Sequence, residues 1–185
     1  MPTTQVGSHT VYYDDRGTDH ALLLLSGLGS TRLGWWKQIE PFSARYRVIN
    51  MDNRDAGDSA LGTGPYTIAD MAEDVAGVIQ NLKLGPTHVV GISMGGMITQ
   101  ELAVRHPEFV DKLVLVSTTA GGPTSVNAKP EIVALLMHVG EEDIETRVRR
   151  TFTLIAGEGY MAAHPEDMEQ IVKNATTKPM SLEWE

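Results

Sequence analysis

A serine flanked by glycines is the residue whose setting most favours chemistry. Residues 91–95 read Gly-Ile-Ser-Met-Gly, the pattern G-x-S-x-G with Ser93 at its centre. In this pattern the serine lies on a sharp strand-to-helix turn, which exposes its hydroxyl as a nucleophile. Two valines precede the motif and an amphipathic, helix-like segment follows it. We therefore predict Ser93 as the catalytic nucleophile; the alternative is a Gly-Ser turn without chemistry.

Such a nucleophile needs two backbone N–H groups that stabilise the oxyanion on the attacked carbonyl. One is expected from Met94, directly after the serine, and the other from Leu28, which stands between Gly27 and Gly29. The alternative is that these two glycines only make a turn. A dinucleotide-binding fingerprint is excluded, because Arg32 stands where its third glycine would be needed.

The acidic residues that follow residue 51 do not have the spacing of a metal site. Counted from Asp52, an EF-hand would need oxygen ligands where Arg54 and Ala56 stand. We interpret this segment as a capped turn in which Arg54 pairs with a carboxylate of the same loop. The six histidines show neither H-x-x-x-H nor H-E-x-x-H spacing. The sequence thus predicts no metal site and no cofactor.

Strand-like and helix-like segments alternate in the first two thirds of the chain. Apolar runs predict strands at residues 11–13, 21–25, 47–51, 88–92 and 112–116, with a turn at residues 14–17. Helices are predicted at residues 35–42 (broken near Pro41), 67–82 and 94–106. Thr67 and Asp70 have the spacing of a capping box. Strands that are apolar on both faces are typical of a parallel sheet between helices. The predicted fold class is α/β, a mostly parallel sheet with helices on both faces.

Beyond residue 122 only helices are predicted. Three follow one another, at residues 130–139, 144–155 and 165–175. We interpret residues 1–122 as an α/β core that bears the nucleophile, and residues 123–185 as a helical cap or lid.

Composition narrows the classes of partner and location. The net charge is −9, from 15 basic and 24 acidic residues, which argues against nucleic acid or an anionic membrane as partner. The chain has no cysteine, so disulfides and thiolate metal sites are excluded. The first residues lack the layout of a signal peptide, and the apolar runs are far shorter than the roughly 20 residues of a membrane span. The expected location is cytoplasmic.

Together, residues 9–120 resemble the α/β-hydrolase superfamily. The resemblance lies in the Gly27–Gly29 loop, the Gly91–Gly95 motif with Gly96, the pattern Asp-x-Arg-x-x-Gly-x-Ser at residues 52–59, and residues 106–116. It implies hydrolysis of a carboxylic ester or lactone through an acyl-enzyme on Ser93. The Ser-Met-Gly-Gly-Met run and the helical insertion are similar to lidded esterases and lactonases, including enol-lactonase-like enzymes. A serine rather than an aspartate at the motif argues against haloalkane dehalogenases and epoxide hydrolases. Two residues depart from the superfamily pattern: Ser26 stands where many members have histidine, and Asp55 stands where glycine is common.

In this superfamily an acid and then a histidine follow the serine, beyond the cap. No strand-like run follows Val116, and the last histidine is His164, so we expect the acid and the base to be absent. Three explanations are open. In the first, the chain is a piece of a longer hydrolase. In the second, two copies associate through an exposed apolar sheet edge at residues 112–116, and His138 or His164 serves as the base in cis or in trans. In the third, the chain is a natural short form that has a binding role or none.

The predicted function is therefore that of a serine-dependent carboxylic ester hydrolase acting on a small ester or lactone. Leu28, Trp35 and Met94 are the predicted substrate-binding residues, and Leu136 and Phe152 of the cap either extend this apolar lining or serve only in packing. The alternative is a catalytically incomplete relative that binds a small apolar ligand or self-associates.

Overall fold

The structure is a computed structural model that describes residues 2–59, 62, 64–123, 125–126, 129–137 and 142–177. Contacts between residues divide the chain into two units, the first up to Ala120 and the second from Gly121. In the described part of the chain, the division falls where strands give way to helices alone.

The first unit is built around a six-stranded sheet. Its strands are β1 (Thr3–Val6), β2 (His9–Arg16), β3 (Ala21–Leu25), β4 (Arg47–Met51), β5 (Thr87–Ile92) and β6 (Val110–Val116). They lie in the spatial order β1-β2-β4-β3-β5-β6. The pairs β4/β3, β3/β5 and β5/β6 are parallel, while β1/β2 and β2/β4 are antiparallel. The predicted mostly parallel sheet is confirmed.

Helices cover both faces of this sheet: α1 (Trp36–Ser43), α2 (Ile68–Asn81) and α3 (Met94–Arg105). All five residues of β3 are buried. Leu23 and Leu25 belong to a core cluster with α2 and α3, whereas Leu22 and Leu24 belong to a second cluster that α1 covers. Burying one leucine contributes about 1.5–3 kcal/mol, so this doubly covered strand is a major source of the core's stability.

The start of α2 is fixed by two residues that stand three positions apart in the sequence. The Thr67 side chain accepts a hydrogen bond from the Asp70 backbone N–H (3.2 Å), and the Asp70 carboxylate accepts one from the Thr67 backbone N–H (2.7 Å). The predicted capping box is thus confirmed. Four apolar side chains at helical spacing, Met71, Val75, Val78 and Ile79, are buried on the face toward the sheet.

Two local predictions are wrong. Residues 14–17 do not form a turn, because β2 continues to Arg16 and pairs with β4. The pairing is reinforced by Arg47, whose guanidinium donates two hydrogen bonds to the Asp15 carboxylate (3.0 and 2.7 Å).

Pro41 does not break α1, which continues to Ser43. The φ of proline is compatible with a helix, and Pro41 stands at an exposed position near the end of a short helix.

The second unit contains helices: α4 (Pro130–Met137), α5 (Ile144–Ile155), the short α6 (Tyr160–Ala163), which the sequence did not predict, and α7 (Pro165–Thr177). The Asp143 side chain caps α5 by accepting from the Thr146 N–H (2.9 Å). Arg149 of α5 donates to both carboxylate oxygens of Glu169 on α7 (2.9 and 3.1 Å). The interpretation of this unit as a cap stays a prediction.

Within the described residues, β6 is the terminal strand of the sheet on its side. Its apolar side chains Leu113, Val114 and Leu115 are 37%, 50% and 43% exposed. An apolar edge of this kind is a template for pairing with another chain. Nowhere in the described part of the chain does a helix combine the length and the apolar character needed to cross a membrane.

Candidate active site

Ser93 occupies the turn between β5 and α3 in a strained backbone conformation. Its φ is 53° and its ψ is −120°, a region that a residue with a Cβ rarely adopts and that costs about 1–3 kcal/mol. The residue is exposed. Its backbone N–H donates to the Val116 carbonyl at the end of β6 (2.9 Å), so the neighbouring strand holds the turn in place.

Glycines allow the backbone to pass close to this serine. A Cβ on Gly91 would collide with the Gly95 carbonyl, and one on Gly95 would collide with the Leu25 carbonyl at the end of β3. A Cβ on Gly27 would lie 3.1 Å from the Ser93 Cβ. The spacing of the G-x-S-x-G motif therefore has a steric reason, and the Gly27 loop lies directly against the serine.

Thr118 supports the turn, and no local pattern in the sequence points to this role. Its hydroxyl donates a 2.7 Å hydrogen bond to the Ser93 carbonyl. Its Cβ is so close to α3 that a Cβ on Gly96 would lie 2.6 Å from it. The second glycine of the Ser-Met-Gly-Gly run therefore makes room for the threonine that fixes the serine.

The two amides predicted to stabilise an oxyanion lie beside the serine in sequence or in space. Among the described residues, neither the Leu28 N–H nor the Met94 N–H has a hydrogen-bond acceptor. Met94 is the first residue of α3, where the helix leaves its N–H groups unpaired and carries a partial positive charge. Leu28 follows Gly27, which lies against Ser93. Their role as an oxyanion hole is a prediction that this arrangement supports.

Buried polar contacts hold the loop that contains Leu28. The Ser26 hydroxyl, only 3% exposed, donates to the Thr31 carbonyl (3.0 Å) and so closes the loop on itself. The Asn53 amide donates to the Ser26 carbonyl (3.1 Å). Ser26, which stands where many members of the superfamily have histidine, therefore contributes to the geometry of the loop.

Arg32 follows this loop and is the centre of a buried ion-pair network. Its guanidinium contacts the carboxylates of Asp52, Asp14 (3.1 Å) and Asp58 (3.0 Å), and stacks on the Tyr12 ring at 4.2 Å. Burial raises the pKa of the Asp52 carboxyl, while hydrogen bonds from the Arg32 and Asp58 N–H groups and the charge of Arg32 act in the opposite direction.

The predicted pairing of Arg54 inside its own loop is wrong. Its guanidinium donates instead to both oxygens of Asp74 on α2 (2.7 and 2.8 Å) and to the Asp70 carbonyl (3.3 Å). The reason is that Asp52 is already occupied by Arg32, and Asp74 is a buried acid that needs a cation. The loop is thereby joined to α2 rather than closed on itself.

The predicted substrate-binding residues differ in their surroundings. Leu28 is 44% exposed. Met94 is half-buried and packs partly against the core cluster of α2 and α3. Trp35 is also half-buried and packs against the opposite core cluster, with Leu22 and Leu24 of β3. A binding role for these three residues stays a prediction, and the packing of Trp35 gives it a structural role as well.

Of the two candidate bases, only His164 belongs to the described residues. His138 and the side chain of Leu136 lie outside the described residues. His164, in the second unit, has its Nδ1 3.5 Å from Glu166 and its ring 4.5 Å from that of Tyr160. Phe152 of α5 is half-buried. Among the described residues, no side chain is hydrogen-bonded to the Ser93 hydroxyl.

Comparison with known proteins agrees with this geometry. Residues 20–157 match the family model described as "alpha/beta hydrolase fold". A 2-hydroxy-6-oxononadienedioate/2-hydroxy-6-oxononatrienedioate hydrolase of Burkholderia vietnamiensis is 39% identical over 127 residues, which are 65% of this chain and 44% of that protein. The 3-oxoadipate enol-lactonase 2 of Acinetobacter baylyi is 31% identical over 154 residues, 82% of this chain and 55% of that protein.

Among solved structures, the enol-lactonase of Burkholderia xenovorans LB400 matches with a TM-score of 0.75 and 27% identity, over 93% of this chain and 66% of that one. The chain spans about half the length of the curated relatives it matches. The resemblance inferred from the glycine-rich loop and the serine motif is confirmed, because the family model covers most of the chain and the sheet order and turn geometry agree with it. The chain belongs to the α/β-hydrolase family.

Proposed function

We propose that the protein hydrolyses a carboxylic ester or a lactone through an acyl-enzyme formed on Ser93. The observation that carries this proposal is the backbone conformation of Ser93, with a φ of 53° at the exposed turn between β5 and α3. Strain of this size persists only where the surrounding structure imposes it, and it is concentrated at functional sites. Here the strained conformation is held by hydrogen bonds of Ser93 to Thr118 and Val116 and by the close packing of Gly27, Gly91 and Gly95.

In the proposed reaction the Ser93 oxygen attacks the acyl carbon, and a base takes the hydroxyl proton. The N–H groups of Leu28 and Met94 donate to the oxyanion that forms on the former carbonyl oxygen. The carbon–oxygen bond to the alcohol then breaks, and the alcohol leaves with the proton. Water then attacks the acyl carbon while the base takes a proton from it. The bond between the acyl carbon and the Ser93 oxygen breaks, the base returns the proton to that oxygen, and the acid leaves.

The proposed reaction needs a base that accepts the proton of the Ser93 hydroxyl. His138 and His164 are the two candidates from the sequence, each acting within one copy or from a second copy. A third source is a segment of a longer protein, since the curated relatives are about twice as long as the matched part. A serine without a base is a neutral hydroxyl, and the loss of triad residues can lower turnover by about 10⁶-fold.

The choice of ester or lactone as substrate rests on similarity and on the apolar side chains beside Ser93. Two of the matched proteins are named as enol-lactonases. Leu28 and Met94 would present apolar atoms next to the amides that bind the oxyanion. These features favour a small substrate with an apolar acyl part.

A binding or self-association role without turnover is the second candidate, and the exposed apolar residues of β6 favour it. Labelling with a fluorophosphonate, which reacts only with activated serines, distinguishes the two. We expect one adduct by intact-mass spectrometry, together with hydrolysis of p-nitrophenyl butyrate. Both should be lost in Ser93→Ala and kept in Ser117→Ala, a matched control at the end of β6 with a positive φ of its own.

Hydrolysis that persists unchanged in Ser93→Ala would overturn the proposal. No adduct on the folded chain would show that Ser93 is not activated in this form, and the second candidate would then replace the first. Adding the probe over a range of protein concentrations separates the sources of the base. Labelling that increases with concentration points to a base from a second copy.

A further inference from the structure

Two histidines and an aspartate meet at the end of the sheet opposite to Ser93. His20 directly precedes β3, His88 is the second residue of β5 and Asp111 is the second residue of β6. Asp111 Oδ2 lies 3.4 Å from His20 Nε2 and 3.2 Å from His88 Nδ1. The two imidazole rings are 4.2 Å apart, and one donor atom from each residue lies within 4.8 Å of the other two.

We propose that these three side chains bind a divalent transition-metal ion, with Zn²⁺ as the ion that fits best. Imidazole nitrogen and carboxylate oxygen are ordinary zinc donors, at about 2.0–2.2 Å from the metal. Donors at that distance around a tetrahedral ion lie about 3.3 Å from one another. The two measured separations from Asp111, 3.2 and 3.4 Å, match this edge length.

A β-bulge directs Asp111 into this cluster. On β6, Val110 is opposite Thr87 and Lys112 is opposite His88, so Asp111 is the extra residue between two pairs. Bulges leave one residue out of the ladder and re-aim its side chain, and they are common next to functional sites. Here the residue left out carries the carboxylate that lies near both histidines.

A simple ion pair explains these contacts less well. His88 Nδ1 is buried and, among the described residues, has no partner in hydrogen-bonding geometry, although Asp111 Oδ2 is 3.2 Å away. Two protonated imidazoles 4.2 Å apart would repel each other. A metal ion would use the lone pairs of both neutral rings and the carboxylate charge together. The Tyr46 ring, 5.9 Å from His88 and edge-on to it, restricts the orientation of that imidazole.

The site is distant from the proposed reaction and suits a structural role. Ser93 lies five positions after His88 in the sequence, which is about 16 Å of extended chain. An ion held by His20, His88 and Asp111 would join the starts of β3, β5 and β6. The side chains of His20 and Asp111 are 44% and 42% exposed, which leaves room for a water molecule as fourth ligand. Binding would therefore stabilise the exposed strand β6 without taking part in hydrolysis.

Calorimetric titration of the untagged, metal-stripped chain with Zn²⁺ tests the proposal. We expect one ion per chain and a rise of the unfolding temperature by several degrees, since binding to the folded state alone stabilises it. His20→Ala and Asp111→Asn should each weaken binding by at least about tenfold. His164→Ala is the matched control, because it removes an exposed histidine that also lies beside a carboxylate, Glu166. It should leave the titration unchanged.

Co²⁺ gives a second readout that weak surface binding would not produce. In a tetrahedral site Co²⁺ absorbs visible light strongly, and this band should be absent in His20→Ala. Circular dichroism establishes that both variants are folded, and the two substituted side chains are exposed enough to make this the expected result. Absence of saturable binding by the native chain, or equal affinity in both variants and the native chain, would overturn the proposal.

Discussion

The guanidinium of Arg32 pairs with the carboxylate of Asp52, with side chains that are only 4% and 0% exposed. The same carboxylate accepts a hydrogen bond from the Arg32 backbone N–H (2.7 Å) and another from the Asp58 N–H (3.0 Å). One buried acid thus fixes both the side chain and the backbone of the residue that follows the Leu28 loop. Because Leu28 is a proposed oxyanion donor, this pair links the buried core to the candidate active site.

Replacing Arg32 by methionine should lower the free energy of unfolding by about 3–5 kcal/mol, because Asp52 would remain buried without its cation. Urea unfolding monitored by circular dichroism measures the change. Arg47→Met is the control, since the Arg47–Asp15 pair is partly exposed, at 34% and 28%, and its loss should cost at most about 1 kcal/mol. Equal losses in the two variants would contradict the role assigned to burial.

Ser93→Gly should be more stable than Ser93→Ala by about 1 kcal/mol. Glycine adopts a positive φ without a Cβ clash, whereas alanine keeps the strain of the native residue. Both variants lack the nucleophile, so their comparison isolates the backbone term. Denaturant midpoints of the two proteins provide the measurement, and an alanine variant at least as stable as the glycine variant would show that Ser93 is unstrained.

Thr118→Val should slow fluorophosphonate labelling of Ser93 about fivefold, since a hydrogen bond of about 1 kcal/mol to the Ser93 carbonyl is lost. Thr118→Ser keeps the hydroxyl and should restore the labelling rate. Thr153→Val, which removes another 2.7 Å hydrogen bond from threonine to a backbone carbonyl, should leave the rate unchanged. A Thr118→Val protein that labels at the native rate would remove Thr118 from the set of positioning residues.

Acid should weaken the α2 cap. Hydrogen bonds from the Thr67 hydroxyl and backbone N–H lower the pKa of the exposed Asp70 carboxyl from its ordinary value of 3.8. A carboxyl whose pKa is lower in the folded than in the unfolded protein stabilises the fold at pH values above its unfolded-state pKa. This stabilisation is lost as the pH falls through the folded-state pKa. Between about pH 5 and pH 2, the melting temperature of the native chain should therefore fall more steeply than that of Asp70→Asn. Parallel curves for the two proteins would refute this assignment.

The exposed strand β6 should make the chain self-associate. Val114, half exposed on this edge, can pair with a second copy, and a lysine there opposes edge-to-edge contact. Sedimentation velocity should show native dimers that Val114→Lys lacks. Val104→Lys, which changes a 79% exposed valine on α3, should not alter the association. A native chain that is monomeric at every concentration would rule out an interface at this edge.

The features that the sequence predicted are those decided by neighbours along the chain. The strand-to-helix turn at Ser93 follows from the valines before it and the helix-forming residues after it, and the capping box needs only Thr67 and Asp70. The alternation of strands and helices likewise indicated the α/β class. A turn was wrongly placed at residues 14–17, because the pairing of β2 with β4 depends on residues more than 30 positions away.

Tertiary structure alone decided the contacts between residues far apart in sequence. Arg54 pairs with Asp74, Arg32 with Asp52, and Thr118 with the Ser93 carbonyl, and none of these pairs has a local pattern. The spacing of the histidines predicts no metal site, whereas the structure brings His20, His88 and Asp111 together because parallel strands begin at the same end of a sheet. The serine motif and the fold class follow from the order of residues along the chain, whereas Ser93 as the nucleophile stays a prediction from that motif. Which charges are buried together and which ligands converge depends on strand order and register, because these bring together residues that the chain keeps apart.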